Sequence, residues 1–134
     1  MLLSTNDFLK RFNHVEMIKG LYYTSMMQEK RPYVICDDGF GVSIQASDTH
    51  YCYPRENGLD HYDKVELGFP TDEDEVIMDY AEDPEDPTGT VYGYVPVKIV
   101  DDLLKKHGGI TRVRIFEHQW WHTDGCWPVG DIEL

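Results

Sequence analysis

Apolar and polar positions alternate along this chain with two different periods, and the changes of period mark its elements. Near the start, Phe8, Leu9 and Phe12 form one stripe at helical spacing, which Val15 extends. Ser4 precedes them and Asp7 follows three residues later, a capping box with Asp in place of Glu, so a helix is expected from Ser4 or Thr5. Gly20 marks a turn. Leu21 to Met27 then reads as a strand, Tyr33 to Cys36 as a second and Gly41 to Ala46 as a third, with Asp37-Asp38-Gly39 as the hairpin signal between the last two.

Further along, His50 to Arg55 reads as an edge strand or a loop, because Pro54 cannot donate to a ladder. Tyr62 to Leu67 alternates as a strand. Pro70-Thr71 is expected to open a short helix, with Thr71 as N-cap, carboxylates in the first turn, and Val76, Ile77 and Tyr80 on the buried face. The run from Glu82 to Gly89 contains two prolines and reads as an exposed loop, followed by a short extended stretch from Thr90 to Tyr94. The clearest helix follows Pro96, placed near N1. Val97, Val100, Leu103 and Leu104 line one face, Lys105, Lys106 and His107 fill the last turn, and Gly108 is the C′ residue. Ile110 to Phe116 alternates as a strand, and Glu117 to Leu134 reads as a hairpin packed on the body. These elements predict an α+β fold with a mostly antiparallel sheet of five or six strands and two or three helices packed on it. The 134 residues fit a single globular domain spanning 1–134.

Charge changes this picture at one place. The chain sums to −13. Between Lys64 and Lys98 there are ten carboxylates and no Lys or Arg, which leaves only −3 for the rest of the chain. Nine of the ten lie in the fifteen residues from Asp72 to Asp86: Asp72, Glu73, Asp74, Glu75, Asp79, Glu82, Asp83, Glu85 and Asp86. Glu66 is the tenth. Such a run reads either as a solvated surface or as a carboxylate array that takes the place of a phosphate backbone, where duplex DNA presents one charge per about 1.7 Å. An array of that kind repels nucleic acid and anionic membrane and attracts basic surfaces. The spacing Asp72, Asp74 does not continue as an EF-hand, since its Gly and terminal Glu are missing.

The remaining chemistry is sparse. No phosphate-binding loop, dinucleotide glycine motif or His-Glu-x-x-His is present. His50, Tyr51, Cys52, Tyr53 and Arg55 suggest a ligand cleft, and His50 two residues from Cys52 is the one arrangement that hints at nucleophilic catalysis. His118, His122 and Cys126 are spaced four apart but sit in a sequence that makes a poor helix, so no metal and no cofactor are expected. Trp120, Trp121 and Trp127 read as a clamp closing the C-terminus onto the sheet. Three cysteines without a secretion signal point to reduced thiols in a cytoplasm, and no apolar run is long enough to span a bilayer.

Two stretches bear a resemblance. Arg31-Pro32-Tyr33 through Val42-Ser43-Ile44-Gln45-Ala46-Ser47 to His50-Tyr51-Cys52 and Pro54-Arg55 is one, and Val91-Tyr92-Gly93-Tyr94-Val95-Pro96 with His107-Gly108-Gly109 is the other. They resemble small accessory proteins encoded by bacteriophages and prophages, over about two-thirds of the chain. The resemblance carries no catalytic residue. It implies a context in which small acidic proteins include inhibitors of host defence of the anti-CRISPR and anti-restriction type. The expected function is then a non-enzymatic inhibitor that binds a basic nucleic-acid-binding protein or complex of the host, and no nucleic acid directly. Its contact surface is Glu66 with Asp72 to Asp86, and Tyr80, Tyr92 and Tyr94 are its apolar anchors. A small-ligand or nucleotide-binding protein using the His50–Arg55 region is the alternative, and a small enzyme using His50 and Cys52 is the third reading.

Overall fold

The computed structural model describes residues 3–12, 31–118 and 126–134, with side chains described outside 115–118 and 126–129. Its elements are α1 (Thr5–Arg11), β1 (Tyr33–Cys36), β2 (Gly41–Gln45), β3 (Lys64–Gly68), β4 (Val91–Pro96), α2 (Val97–Lys106), β5 (Ile110–His118) and β6 (Cys126–Glu133). The strands form one six-stranded sheet in the order β4-β3-β2-β1-β5-β6, and every neighbouring pair is antiparallel. With the two α-helices among the described residues, this is the expected α+β arrangement.

Strand alternation places one side chain in two against the helices. Val34 faces Val42 on one side and Val113 on the other, Ile44 faces Leu67, Leu67 faces Tyr92, and Val65 faces Val95. All are fully buried in one hydrophobic cluster with Phe8, Leu9 and Phe12 of α1 and Val100, Leu103 and Leu104 of α2. Residues paired in register share a face, so these form the inner layer. The outer face carries Tyr33 opposite Arg114, Ile35 opposite Arg112, and Gln45 opposite Glu66.

Helix α1 starts where its sequence says, and α2 ends where its sequence says. The Ser4 hydroxyl accepts the Asp7 N–H at 3.1 Å. The Thr5 N–H and hydroxyl both donate to Asp101 of α2, at 2.8 and 2.5 Å, which locks the two helices together. Pro96 differs slightly from expectation. It is the N-cap of α2 and the last residue of β4, still paired with Lys64, because the ladder continues until Val97 N–H donates to Asp63 O. At the other end Gly108 and Gly109 both adopt positive φ, as a C′ glycine does.

The helix expected from Thr71 does not form. Thr71 pairs with Gly41 instead: its N–H donates to Gly41 O at 2.9 Å, and its hydroxyl accepts Gly41 N–H at 3.0 Å. Asp74 then accepts the Val76 N–H at 2.9 Å, a local turn that competes with helical bonding. Only one 3-10 turn remains, at Met78–Tyr80. The His50–Arg55 stretch is a loop that bridges β3 at Tyr53–Lys64 and accepts the Tyr94 N–H of β4 at Tyr51 O. The tail does not form a hairpin of its own from Glu117 to Leu134: it supplies one described strand, β6, which pairs with β5, and β5 itself runs on to His118. The strand expected at Leu21–Met27 and the residues Val15, Gly20, Trp120, Trp121 and His122 lie outside the described residues. No helix among the described residues is long and apolar enough to cross a membrane.

Candidate functional site

The acidic segment is the connection between β3 and β4, and it is pinned to the body at five points. Thr71 is tied to Gly41. Asp74 is buried against Lys106 and His107 at the end of α2. Ile77 is fully buried in the hydrophobic core. Glu82 N–H donates to Val91 O at 3.0 Å and Ala81 bridges Tyr92, so this stretch lies along the edge of β4. The Tyr92 hydroxyl donates to Pro87 O at 2.5 Å. Between these anchors the carboxylates point outward. Asp72, Glu73, Glu75, Asp79, Glu82, Asp83, Glu85 and Asp86 are all exposed. The expected exposed loop from Glu82 to Gly89 is found, with its own turn bonds from Asp86 N–H to Asp83 O and from Gly89 N–H to Asp86 O.

Asp74 is the exception, with 4% of its side chain exposed. Its Oδ1 accepts from Lys106 Nζ at 3.1 Å and from Val76 N–H, and its Oδ2 lies 2.7 Å from His107 Nε2. The other ring nitrogen, Nδ1, lies 2.6 Å from Oδ2 of the half-exposed Asp38 in the β1–β2 turn. The ring also stacks on Phe40, 3.9 Å between centroids and 7° from parallel. Burial raises the Asp74 pKa, but the Val76 N–H, His107 and Lys106 outweigh it and leave the group below its ordinary value. Desolvation likewise pulls His107 down, yet the two carboxylates carry it above its ordinary value. Asp38 is lowered by the Phe40 N–H and by His107.

Beside the acidic segment, β4 carries a bulge. Val65 faces Val95 and Leu67 faces Tyr92, so Gly93 and Tyr94 together oppose the single residue Glu66. Tyr94 takes φ +54°, and its N–H leaves the ladder to donate to Tyr51 O at 2.9 Å. The bulge turns the Tyr94 ring outward against Tyr51, with centroids 5.9 Å apart, and the Arg55 guanidinium sits 5.8 Å over Tyr51. Glu66 secures the loop by accepting the Tyr51 N–H at 3.0 Å. Tyr51, Tyr53, Phe69 and Tyr94 are the exposed large aromatics of this region.

The sequence-predicted residues therefore divide. Eight of the nine clustered carboxylates are exposed on one segment, and Tyr94 is exposed on β4, the strand which that segment bridges at Ala81–Tyr92. Tyr92 is fully buried and acts as a core residue and an anchor for Pro87, and Tyr80 is half-buried against the core. Tyr51, Tyr53 and Arg55 are exposed. Cys52 is fully buried, and its thiol donates to the carbonyls of Ser47 and Pro54 at 3.1 and 3.4 Å. Desolvation pushes its pKa up, which holds it as a neutral thiol. His50 Nδ1 lies 2.6 Å from the hydroxyl of the buried Ser47. Backbone register pairs His118 with Cys126 across β5 and β6. Among the described residues, no group of three or more His, Cys, Asp or Glu could hold a metal ion.

Sequence reasoning missed the Asp38–His107–Asp74–Lys106 cluster. His107 reads locally as a helix-end cation and Asp38 as a turn residue, and 69 positions separate them. Comparison of the chain with protein-family models, with curated proteins and with solved structures finds no match.

Proposed function

We propose that this protein is a non-enzymatic inhibitor of the phage anti-defence type, acting in the host cytoplasm. It binds the basic nucleic-acid-binding surface of a host complex through the segment from Asp72 to Asp86. The observation that carries this reading is the anchoring of that segment. Eight exposed carboxylates sit on a connection fastened to the core at Ile77 and to β4 at Glu82, so their display is preorganised rather than paid for on binding. Tyr94 of β4, the strand this segment bridges, and Tyr51 packed against it serve as apolar anchors, in place of the separate ligand cleft that the His50–Arg55 region suggests by sequence. Charge speeds encounter and the aromatic anchors set residence time.

The test replaces Asp72, Glu73, Asp83, Glu85 and Asp86 by Asn or Gln. Wild-type protein immobilised at about 0.15 M salt captures a basic nucleic-acid-binding complex from bacterial lysate, with affinity that falls as salt rises, and the neutralised variant loses it. Neither protein shifts duplex DNA. Capture that is equal for both proteins and insensitive to salt refutes the reading, as does saturable binding of DNA by the wild type.

A further inference from the structure

Both ring nitrogens of His107 face carboxylate oxygens at hydrogen-bond distance, Asp38 Oδ2 at 2.6 Å and Asp74 Oδ2 at 2.7 Å. A neutral imidazole carries one N–H and presents a lone pair at its other nitrogen. Against two ionised carboxylates the neutral ring satisfies one and sets its lone pair against the other. Only the imidazolium donates to both, and such charge-assisted bonds are the strong ones. The surroundings agree. The β1–β2 turn brings Asp38, and Asp37, whose N–H donates to Gly109 O. The acidic segment brings Asp74. From α2 itself come Lys105 and Lys106, with Lys106 engaged on the far oxygen of Asp74. The carbonyl end of α2 favours a cation at its C-cap.

The geometry points to a proton-dependent clasp: imidazolium His107 ties the β1–β2 turn to the acidic segment, and loss of the proton frees Asp38 to join the exposed carboxylates. The order of release follows from burial. Asp74 has 4% of its side chain exposed, so solvent replaces a lost donor there far less readily than at Asp38, and the neutral ring keeps its single proton on Nε2. Asp38 is 50% exposed, is solvated readily, and keeps the Phe40 N–H on its other oxygen. With the proton, Asp38, Asp74, Lys106 and His107 together carry no net charge. Without it, they add one negative charge beside the array. The consequence for binding rests on the proposed function, whereas the clasp itself is measurable without any partner.

The experiment is a pH titration of labelled protein followed by NMR at the imidazole nitrogens and backbone amides. The expected result is both nitrogens protonated at low pH, a midpoint above 6.5, and the Nε2–H tautomer beyond it. The amides of Gly39 and Phe40 follow the same midpoint, while that of Val76, bonded to Asp74, moves little. Asp38→Asn lowers the midpoint, and His107→Gln abolishes the turn response near neutrality. Asp38→Asn alters an exposed side chain, so it decides the point even where His107→Gln does not fold. A midpoint at or below 6.5, an Nδ1–H tautomer, or turn amides indifferent to the ring overturns the clasp. Binding of an arginine-rich peptide is then measured across the midpoint. One added charge is worth about a twofold gain in affinity for the wild type, absent in Asp38→Asn. Affinity for the peptide that does not change across a verified midpoint removes the regulatory role. Failure to bind the peptide at every pH counts against the proposed function and leaves the NMR result to judge the clasp.

Discussion

Replacing Ile77 by Ala separates a carboxylate-bearing loop from a carboxylate-bearing part of the core. Ile77 stands inside the acidic run, two residues from Glu75 and two from Asp79, yet it has no exposed surface and belongs to the central hydrophobic cluster. The substitution removes roughly three methylene equivalents at about 0.8 kcal/mol each, or about 2.4 kcal/mol of transfer free energy. A residual cavity adds to this, because the cluster that holds Ile77 also holds Val100 and Leu103 of α2, a helix locked to α1 through Thr5 and Asp101. The expected loss is about 3 kcal/mol, within the range of about 2–5 found for such core truncations. For a chain of this length that corresponds to a fall in Tm of about 10 °C. Urea unfolding followed by circular dichroism gives the free energy by linear extrapolation. Ile77→Val, which leaves most of the side chain, should cost about 1 kcal/mol and shows whether the loss tracks volume. A loss below about 0.5 kcal/mol for Ile77→Ala would place Ile77 among ordinary surface positions. The segment would then be a loop lying on the protein, and preorganisation would no longer support the proposed function.

Other parts of the structure make separate demands. The variant neutralised at Asp72, Glu73, Asp83, Glu85 and Asp86 should melt within a few degrees of wild type, since exposed carboxylates contribute little net stability and Asn at position 83 keeps the oxygen that accepts Glu85 N–H. Cys36 and Cys52 are buried, and burial pushes the Cys36 thiol up to about 12. In a Cys126→Ser background, thiol reagents should label both only at the rate of unfolding, and fast labelling in native buffer contradicts the packing. The His107 cluster makes stability depend on pH with a definite sign. His107 is raised, so its contribution is full below its ordinary 6.5 and is lost as pH rises through the folded value; Asp74 is lowered, so its contribution is full above its ordinary 3.8 and is lost as pH falls through its folded value. The stability difference between wild type and His107→Gln should be largest between about pH 4 and 6.5, and a difference that grows toward pH 8 refutes the assignment.

Local signals were legible in the sequence where local bonding decides the outcome. The Ser4–Asp7 box, the Asp37-Asp38-Gly39 turn and the Gly108 stop each act within a few residues, and α1, the β1–β2 hairpin and α2 follow them closely. Thr71 shows where such reading ends. Its hydroxyl can cap a helix or hold a neighbouring strand, and Gly41, thirty residues away, takes it. Tyr92 makes the same point. Its alternation with Tyr94 suggests a shared exposed face, but the bulge at Gly93–Tyr94 breaks the alternation, burying one ring and turning the other out. The charge of the acidic run was plain from the sequence. That Asp74 turns inward could not be read there, because its partners Lys106 and His107 arrive only with the tertiary fold.

Tyr94 carries a cost that its packing does not explain. Only two described residues other than glycine have positive φ, Phe69 at +51° and Tyr94 at +54°, and both are exposed aromatics. A left-handed conformation costs a residue with a Cβ about 1–2 kcal/mol, and such strain persists only where the surrounding structure holds it. Glycine pays no such penalty, and it would keep the N–H that bonds to Tyr51 O. Against that gain stands the ring contact with Tyr51 at 5.9 Å, which for an aromatic pair contributes about 0.5–1.5 kcal/mol. Tyr94→Gly should therefore unfold within about 1 kcal/mol of wild type, and under the proposed function it should bind the basic partner tenfold or more weakly, as expected for loss of an aromatic hot spot. Paired urea melts and partner titrations read both quantities. A variant that loses 2 kcal/mol or more of stability and binds as well as wild type would show that the bulge exists to pack Tyr94 against the Tyr51 loop, and the aromatic anchor would have to be sought elsewhere.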